Sequence, residues 1–73
     1  MMITGTVAIV NPDRTFVLVM DTRREVTCKE IAGRKLPWLT VGQKVVLQGD
    51  YLGEMIPKQL SELFSFTSIA VLE

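Results

Sequence analysis

Apolar and β-branched residues fall in short runs along this chain, each followed by a cluster of polar, turn-forming residues. Thr4 to Val10 reads Thr-Gly-Thr-Val-Ala-Ile-Val, β-branched and partly alternating, and predicts a strand. Asn11-Pro12-Asp13-Arg14 follows. Proline fixes φ and the Asn and Asp side chains bond nearby backbone, so this is a turn. Thr15 to Asp21 predicts a second strand, and the short connection makes the pair an antiparallel hairpin. Asp21-Thr22-Arg23-Arg24 is another polar turn, and Glu25 to Lys29 a third, short strand. Residues 30–41 break the pattern, with Gly33 and Pro37 punctuating them and room for one helical turn near Glu30–Ala32. Gly42 to Asp50 resumes as a fourth strand. Residues 51–62 predict a second long irregular segment, with a short helix starting at Pro57, where a proline suits the first turn. Leu63 to Val71 alternates Phe64 and Phe66 against Ser65 and Thr67, which predicts a fifth strand. Five short strands in so short a chain predict an all-β, five-stranded antiparallel closed barrel over residues 1–71, since closure removes edges that a small sheet leaves unprotected.

Length sharpens this picture. A chain of 73 residues makes one domain, and a domain of that size buries only about 60% of its unfolded surface, so each large apolar residue carries weight. Nearly half the residues are hydrophobic (48%), which fits a packed domain rather than a disordered tail. The longest apolar run, Phe16 to Met20, is strand length, far below the ~18 residues of a membrane span, so no membrane contact is expected. The N-terminus lacks a basic stretch ahead of an apolar one, and the cytoplasm is the expected compartment. The terminal Leu72-Glu73 has the form of a vector-derived junction and is kept out of the functional argument.

Charge and chemistry then narrow the function. Formal net charge is zero, but residues 1–44 hold seven of the eight basic residues and four acids, leaving the C-terminal part acidic. Arg23, Arg24, Lys29, Arg34 and Lys35 fall in or beside the loops that rim such a barrel; they make either a phosphate-tracking rim or an ordinary solvated surface. The chain has no histidine and one cysteine, so an internal disulfide is excluded and a zinc site lacks ligands. Cys28 reads as a small buried hydrophobe. There is no glycine-rich phosphate loop, no clustered ligand set and no serine with an evident base. No catalytic activity, cofactor or metal is expected.

The framework resembles the cold-shock domain family, which opens with a pattern like G-x-V-x-W-F-N, a short turn, then K-G-F-G-F-I. Gly5-Thr6-Val7-Ala8-Ile9-Val10-Asn11 and Arg14-Thr15-Phe16-Val17-Leu18-Val19 follow that order and spacing. Glu25-Val26-Thr27-Cys28-Lys29-Glu30 stands at the family's D-V-F-V-H-F, and Leu39 to Leu47 looks like its L-x-x-G-Q-x-V-x-F. The resemblance covers nearly the whole chain. It implies an OB barrel that binds single-stranded RNA or DNA by stacking bases on surface aromatics, a contact worth ~1–3 kcal/mol per base. Carried over residue by residue, the binding positions are Ile9, Arg14, Phe16, Leu18, Thr27 and Lys29, with Arg23 and Arg24 near the nucleic-acid backbone. The family's tryptophan is here Ile9, its second phenylalanine Leu18, its two motif glycines Thr15 and Val17, and its third-strand aromatics and histidine Thr27, Glu30 and Lys29. Of the five tryptophan and phenylalanine positions so matched, only Phe16 keeps its ring, and Glu30 introduces a negative charge where phosphates pass.

Two functions of different classes follow. The first is weak, sequence-tolerant binding of single-stranded nucleic acid on the face of strands 1–3. The second is a protein-interaction module in which Leu18 and Ile9, on the same face as Phe16, form an exposed aliphatic patch, since such patches mark contact sites on small monomers. Phe16 itself has two readings, surface stacking ring or core residue, and the alignment places it on the surface. Trp38 is either a displaced stacking ring or a cap on the open barrel end, the latter favoured by the area a tryptophan buries. Met55-Ile56 is expected to plug a barrel end.

Overall fold

The computed structural model describes residues 1–54 and 62–72. Five strands build it: β1 (Met2–Val10), β2 (Thr15–Met20), β3 (Glu25–Glu30), β4 (Lys44–Glu54) and β5 (Glu62–Val71). They close into one barrel in the order β1-β2-β3-β5-β4, the arrangement of an OB-type barrel. The expected helical start at Pro57 and the Met55-Ile56 plug fall outside the described residues, while Glu62 belongs to β5. Of the irregular segment expected over 51–62, residues 51–54 are strand instead, because β4 runs on to Glu54 paired with β5 through a register shift between Tyr51 and Gly53.

One pairing departs from an all-antiparallel barrel: β3 and β5 run parallel, from Val26↔Glu62 to Glu30↔Phe66. Closure itself requires this. A ring of five strands cannot alternate direction all the way round, so one neighbouring pair must point the same way. The parallel pair is the one whose connection is long enough to cross over, through residues 31–43, β4 and the segment after it.

Both hairpin turns use three residues. Asn11 N–H donates to the Thr15 carbonyl (2.9 Å) around Pro12-Asp13-Arg14, and Met20 N–H to the Arg24 carbonyl (2.9 Å) around Asp21-Thr22-Arg23. In each, the third residue takes the left-handed conformation, Arg14 at φ 71° and Arg23 at φ 63°, the pattern of a type I turn closed by a bulge.

The core holds Val7, Phe16, Leu18, Val26, Cys28, Val45, Leu47, Phe64 and Phe66, each 1% exposed or less. Phe16 meets Phe66 edge-on with ring centroids 5.6 Å apart. Phe16 and Leu18 are therefore interior residues, which corrects the surface placement taken from the family alignment. β2 is apolar at every position from Phe16 to Met20, so its periodicity permits either face. The barrel takes the two larger alternate side chains inside and turns Thr15, Val17 and Val19 outward, because they contribute the greater buried apolar area. The end of the barrel is covered by Leu39, which is buried, whereas Trp38 stays 42% exposed. The expected tryptophan cap is thus a leucine cap, with the ring left facing solvent.

Candidate functional site

The outer face of β1–β3 is set by register. Val7 pairs with Leu18, both inward; the register then shifts, and Ile9 pairs with Val17 and Val17 with Thr27. The bulge at Ala8 supplies the extra residue that carries Ile9 to the outside, where it is 51% exposed. On the same face Lys29 is exposed and pairs with Thr15. Leu63 of β5 extends the row beyond Thr27. Of the eight residues carried over from the family pattern, Ile9, Thr27 and Lys29 share this face and Arg14 borders it. Phe16 and Leu18 are underneath it.

Arg23 and Arg24 are not part of this group. They lie in the β2–β3 turn, at the opposite end of β2 from Arg14, and a six-residue strand at about 3.3 Å per residue separates the two turns by roughly 20 Å. Arg24 is ion-paired with Glu62, and its guanidinium sits 5.6 Å from the centre of the Tyr51 ring.

Every aromatic ring of the chain is described, and β1–β3 carry none on their outer face. The three phenylalanines are in the core, and Tyr51 is half-buried against Phe64. Only Trp38 is exposed.

What the fold brings together instead is a cleft of about 350 Å³ between the β1–β2 turn and the loop of residues 31–43. Asn11, Arg14 and Thr15 line one side, and Lys35, Leu36 and Pro37 the other. Phe16 and Leu39 also contribute to the lining from the core. An Arg14 guanidinium N–H donates to the Gly33 carbonyl at 2.9 Å and ties the two sides together. Arg14, Lys29, Arg34 and Lys35 thereby gather at one end of the barrel, and none has an ion-pair partner among the described residues.

Asp13 and Glu30 at this end are turned to backbone, while the exposed Asp50 stands in the Lys29–Ser65–Asp50 row across β3, β5 and β4. Asp13 accepts from the Thr15 amide (3.1 Å) and hydroxyl (2.6 Å), and the hydroxyl above all holds its carboxyl below the usual carboxylate range. Glu30 accepts from the amides of Ala32 (2.9 Å) and Arg34 (3.0 Å). Glu30 is therefore part of the loop's own scaffold, which corrects its expected position on the phosphate path: it pairs in register with the inward Phe66. No cluster of three or more His, Cys, Asp or Glu suited to a metal occurs among the described residues. Cys28 is buried, and that burial pushes its thiol up to about 12, so the neutral thiol packs as a small hydrophobe.

Asn11, Lys35 and Pro37 were absent from the site expected on the family pattern, whereas Leu36 stands near where the cold-shock pattern has another binding aromatic, its ring lost here. Arg34 and Lys35 were legible only as rim charge, and nothing local in the sequence places residues 35–37 against residue 11. The fold and this site define an OB-type barrel with a cationic cleft at one end. In comparisons with known proteins, no family model, no curated protein and no solved structure matches the chain.

Proposed function

We propose that this chain is a non-catalytic, low-affinity and sequence-tolerant binder of single-stranded RNA or DNA, led by phosphate contacts rather than by stacking. The observation that carries this reading is the gathering of Arg14, Lys29, Arg34 and Lys35 at one barrel end, while Asp13 and Glu30 are engaged with backbone amides. Neutral overall charge does not oppose it, because a strand responds to the local field and not to the sum. The resemblance of the framework to cold-shock domains points the same way, and a divergent membership of that family is part of the proposal. Binding is weak because the rings that supply stacking energy in such barrels are buried here, with Trp38 alone exposed.

The test is a titration of labelled protein with short pyrimidine-rich single strands at several salt concentrations, read residue by residue by NMR. Shifts are expected at Arg14, Lys29, Arg34, Lys35 and Trp38. The affinity should fall with salt at a log–log slope of about −3, from four cations at about 0.7 each on a single strand. No shifts at millimolar oligonucleotide and low salt would sink the reading.

A second reading has its own observation. The outward row Ile9–Val17–Thr27–Leu63 presents three aliphatic side chains and one threonine, with Ile9 half exposed. Such a row suits a protein surface better than a base, because it lacks a flat π-face. Absence of oligonucleotide binding would favour a protein-interaction module using that row.

A further inference from the structure

The hydrogen-bond chain of the β1–β2 turn has a fixed direction. Asp13 is a carboxylate and only accepts. The Thr15 hydroxyl, 2.6 Å away, spends its single proton on it, so the Thr15 oxygen has only acceptor capacity left. The Asn11 side chain lies 3.0 Å from that oxygen and must present its amide nitrogen there, which settles which way round the amide stands. Its carbonyl Oδ1 then faces away from Thr15, and among the described residues no donor reaches it. Asn11 lines the cleft, across from Lys35 and beside Arg14, and neither aspartate nor glutamate lines it. Arg14 uses one of its five donors on Gly33 and keeps the others.

We propose that this cleft is a nucleotide subsite that prefers bases bearing an exocyclic amine, cytosine or adenine, over uracil. The Asn11 carbonyl accepts from the amine, Leu36 and Pro37 flank the base, and Arg14 and Lys35 take the adjoining phosphate. Cytosine and uracil differ at the exocyclic group: cytosine presents an N4 donor and uracil an O4 acceptor, so a base held with that group against the Asn11 oxygen pairs as cytosine, while uracil must turn its N3–H to the oxygen instead. A cleft of about 350 Å³ is at the lower end of the small-ligand range, the size for one nucleotide and no more. Thr15 is the positioning residue, since its hydroxyl orients the amide. The inference rests on the proposal that a single strand passes this end of the barrel.

The experiment compares six-nucleotide oligocytidylate with oligouridylate on ¹⁵N-labelled protein at one low salt concentration. Oligocytidylate should bind about three- to tenfold tighter, the worth of one hydrogen bond, and the Asn11 side-chain amide signals should move with it. Thr15→Val should bring the two affinities together while oligouridylate binding persists, and Thr15→Ser should restore the preference. Should Thr15→Val fail to fold, Asn11→Ala should abolish the same preference. Equal affinities in the unmodified protein, with Arg14 and Lys29 shifting and Asn11 silent, would overturn the subsite and leave phosphate-led binding standing. A complete lack of shifts with either oligonucleotide would overturn both.

Discussion

Arg14 and Arg23 occupy the same left-handed position in two turns of the same design, yet they do different things. At φ 71° and 63° either residue carries a backbone cost that glycine does not. Arg14 has a use for its place: from there its guanidinium reaches the Gly33 carbonyl and the cleft. Arg23 is exposed and its side chain makes no hydrogen bond or ion pair among the described residues. Arg23→Gly is therefore expected to stabilise the barrel by about 1 kcal/mol, a rise in Tm of about 4–8 °C in a domain of this size. Thermal unfolding followed by circular dichroism checks this, and a fall in Tm would mean that Arg23 has a contact of its own. The residue scale also separates ring from role. Phe16 matches an aromatic of the cold-shock pattern but contributes its ring to the core, in edge contact with Phe66.

At the scale of the element, β4 is the strand that closes the barrel. Its first half pairs with β1 from Thr6↔Lys44 to Met2↔Gln48, and nearly its whole length pairs with β5. The changeover falls at Gly49, where the β5 register shifts and Gly49 N–H donates to the Met1 carbonyl at 2.9 Å. A side chain has no room there: a Cβ would run into the Ser65 carbonyl oxygen and stand 2.6 Å from the Phe66 Cα, both backbone atoms. Gly49→Ala is expected to cost about 3 kcal/mol, at the upper end of overpacking substitutions, because two strands must separate to admit the methyl. Urea unfolding would show this as a lowered midpoint, and a loss below about 1 kcal/mol would mean that β4 and β5 part more easily than their pairing implies. The bulge at Ala8 is the other element-scale device. By adding one residue it moves Ile9 from the interior parity of Val7 to the outer face.

For the whole molecule, the buried thiol ties stability to alkaline pH. Cys28 is completely buried, and its thiol is pushed from 9.0 up to about 12 by desolvation. In the unfolded chain the thiol ionises above about pH 9, while the folded barrel keeps its proton until about pH 12. Across that window the folded state holds one proton more, so folding stability falls by about 1.4 kcal/mol per pH unit. Below pH 9 the group contributes no pH dependence. Urea midpoints measured at pH 9 and 11 should therefore converge between the native chain and Cys28→Ala, which lacks the thiol but loses some packing. Parallel pH profiles for the two would show that the thiol ionises in place. The arrangement of charge is a whole-molecule property as well. Glu62 neutralises Arg24 at one end, and the hydrogen bonds of Asp13 and Glu30 direct their carboxylates into backbone at the other.

The sequence by itself determined the five strands, because each run of β-branched and aromatic residues is bounded by Pro, Gly, Asp or Asn chemistry that acts over three or four residues. It also determined closure, because a sheet this small has no other protection for its edges, and the buried neutral role of Cys28. Only the tertiary structure decided which face each strand shows. β2 is apolar on both sides, so the choice between Phe16/Leu18 and Val17/Val19 falls to the volume available inside the closed ring. The parallel β3–β5 pair follows from the odd number of strands, a constraint that exists only once the ring is joined. The cleft is decided last of all. It joins Asn11 and Arg14 to Lys35 and Pro37 across more than twenty residues of chain, and no local propensity acts over that distance.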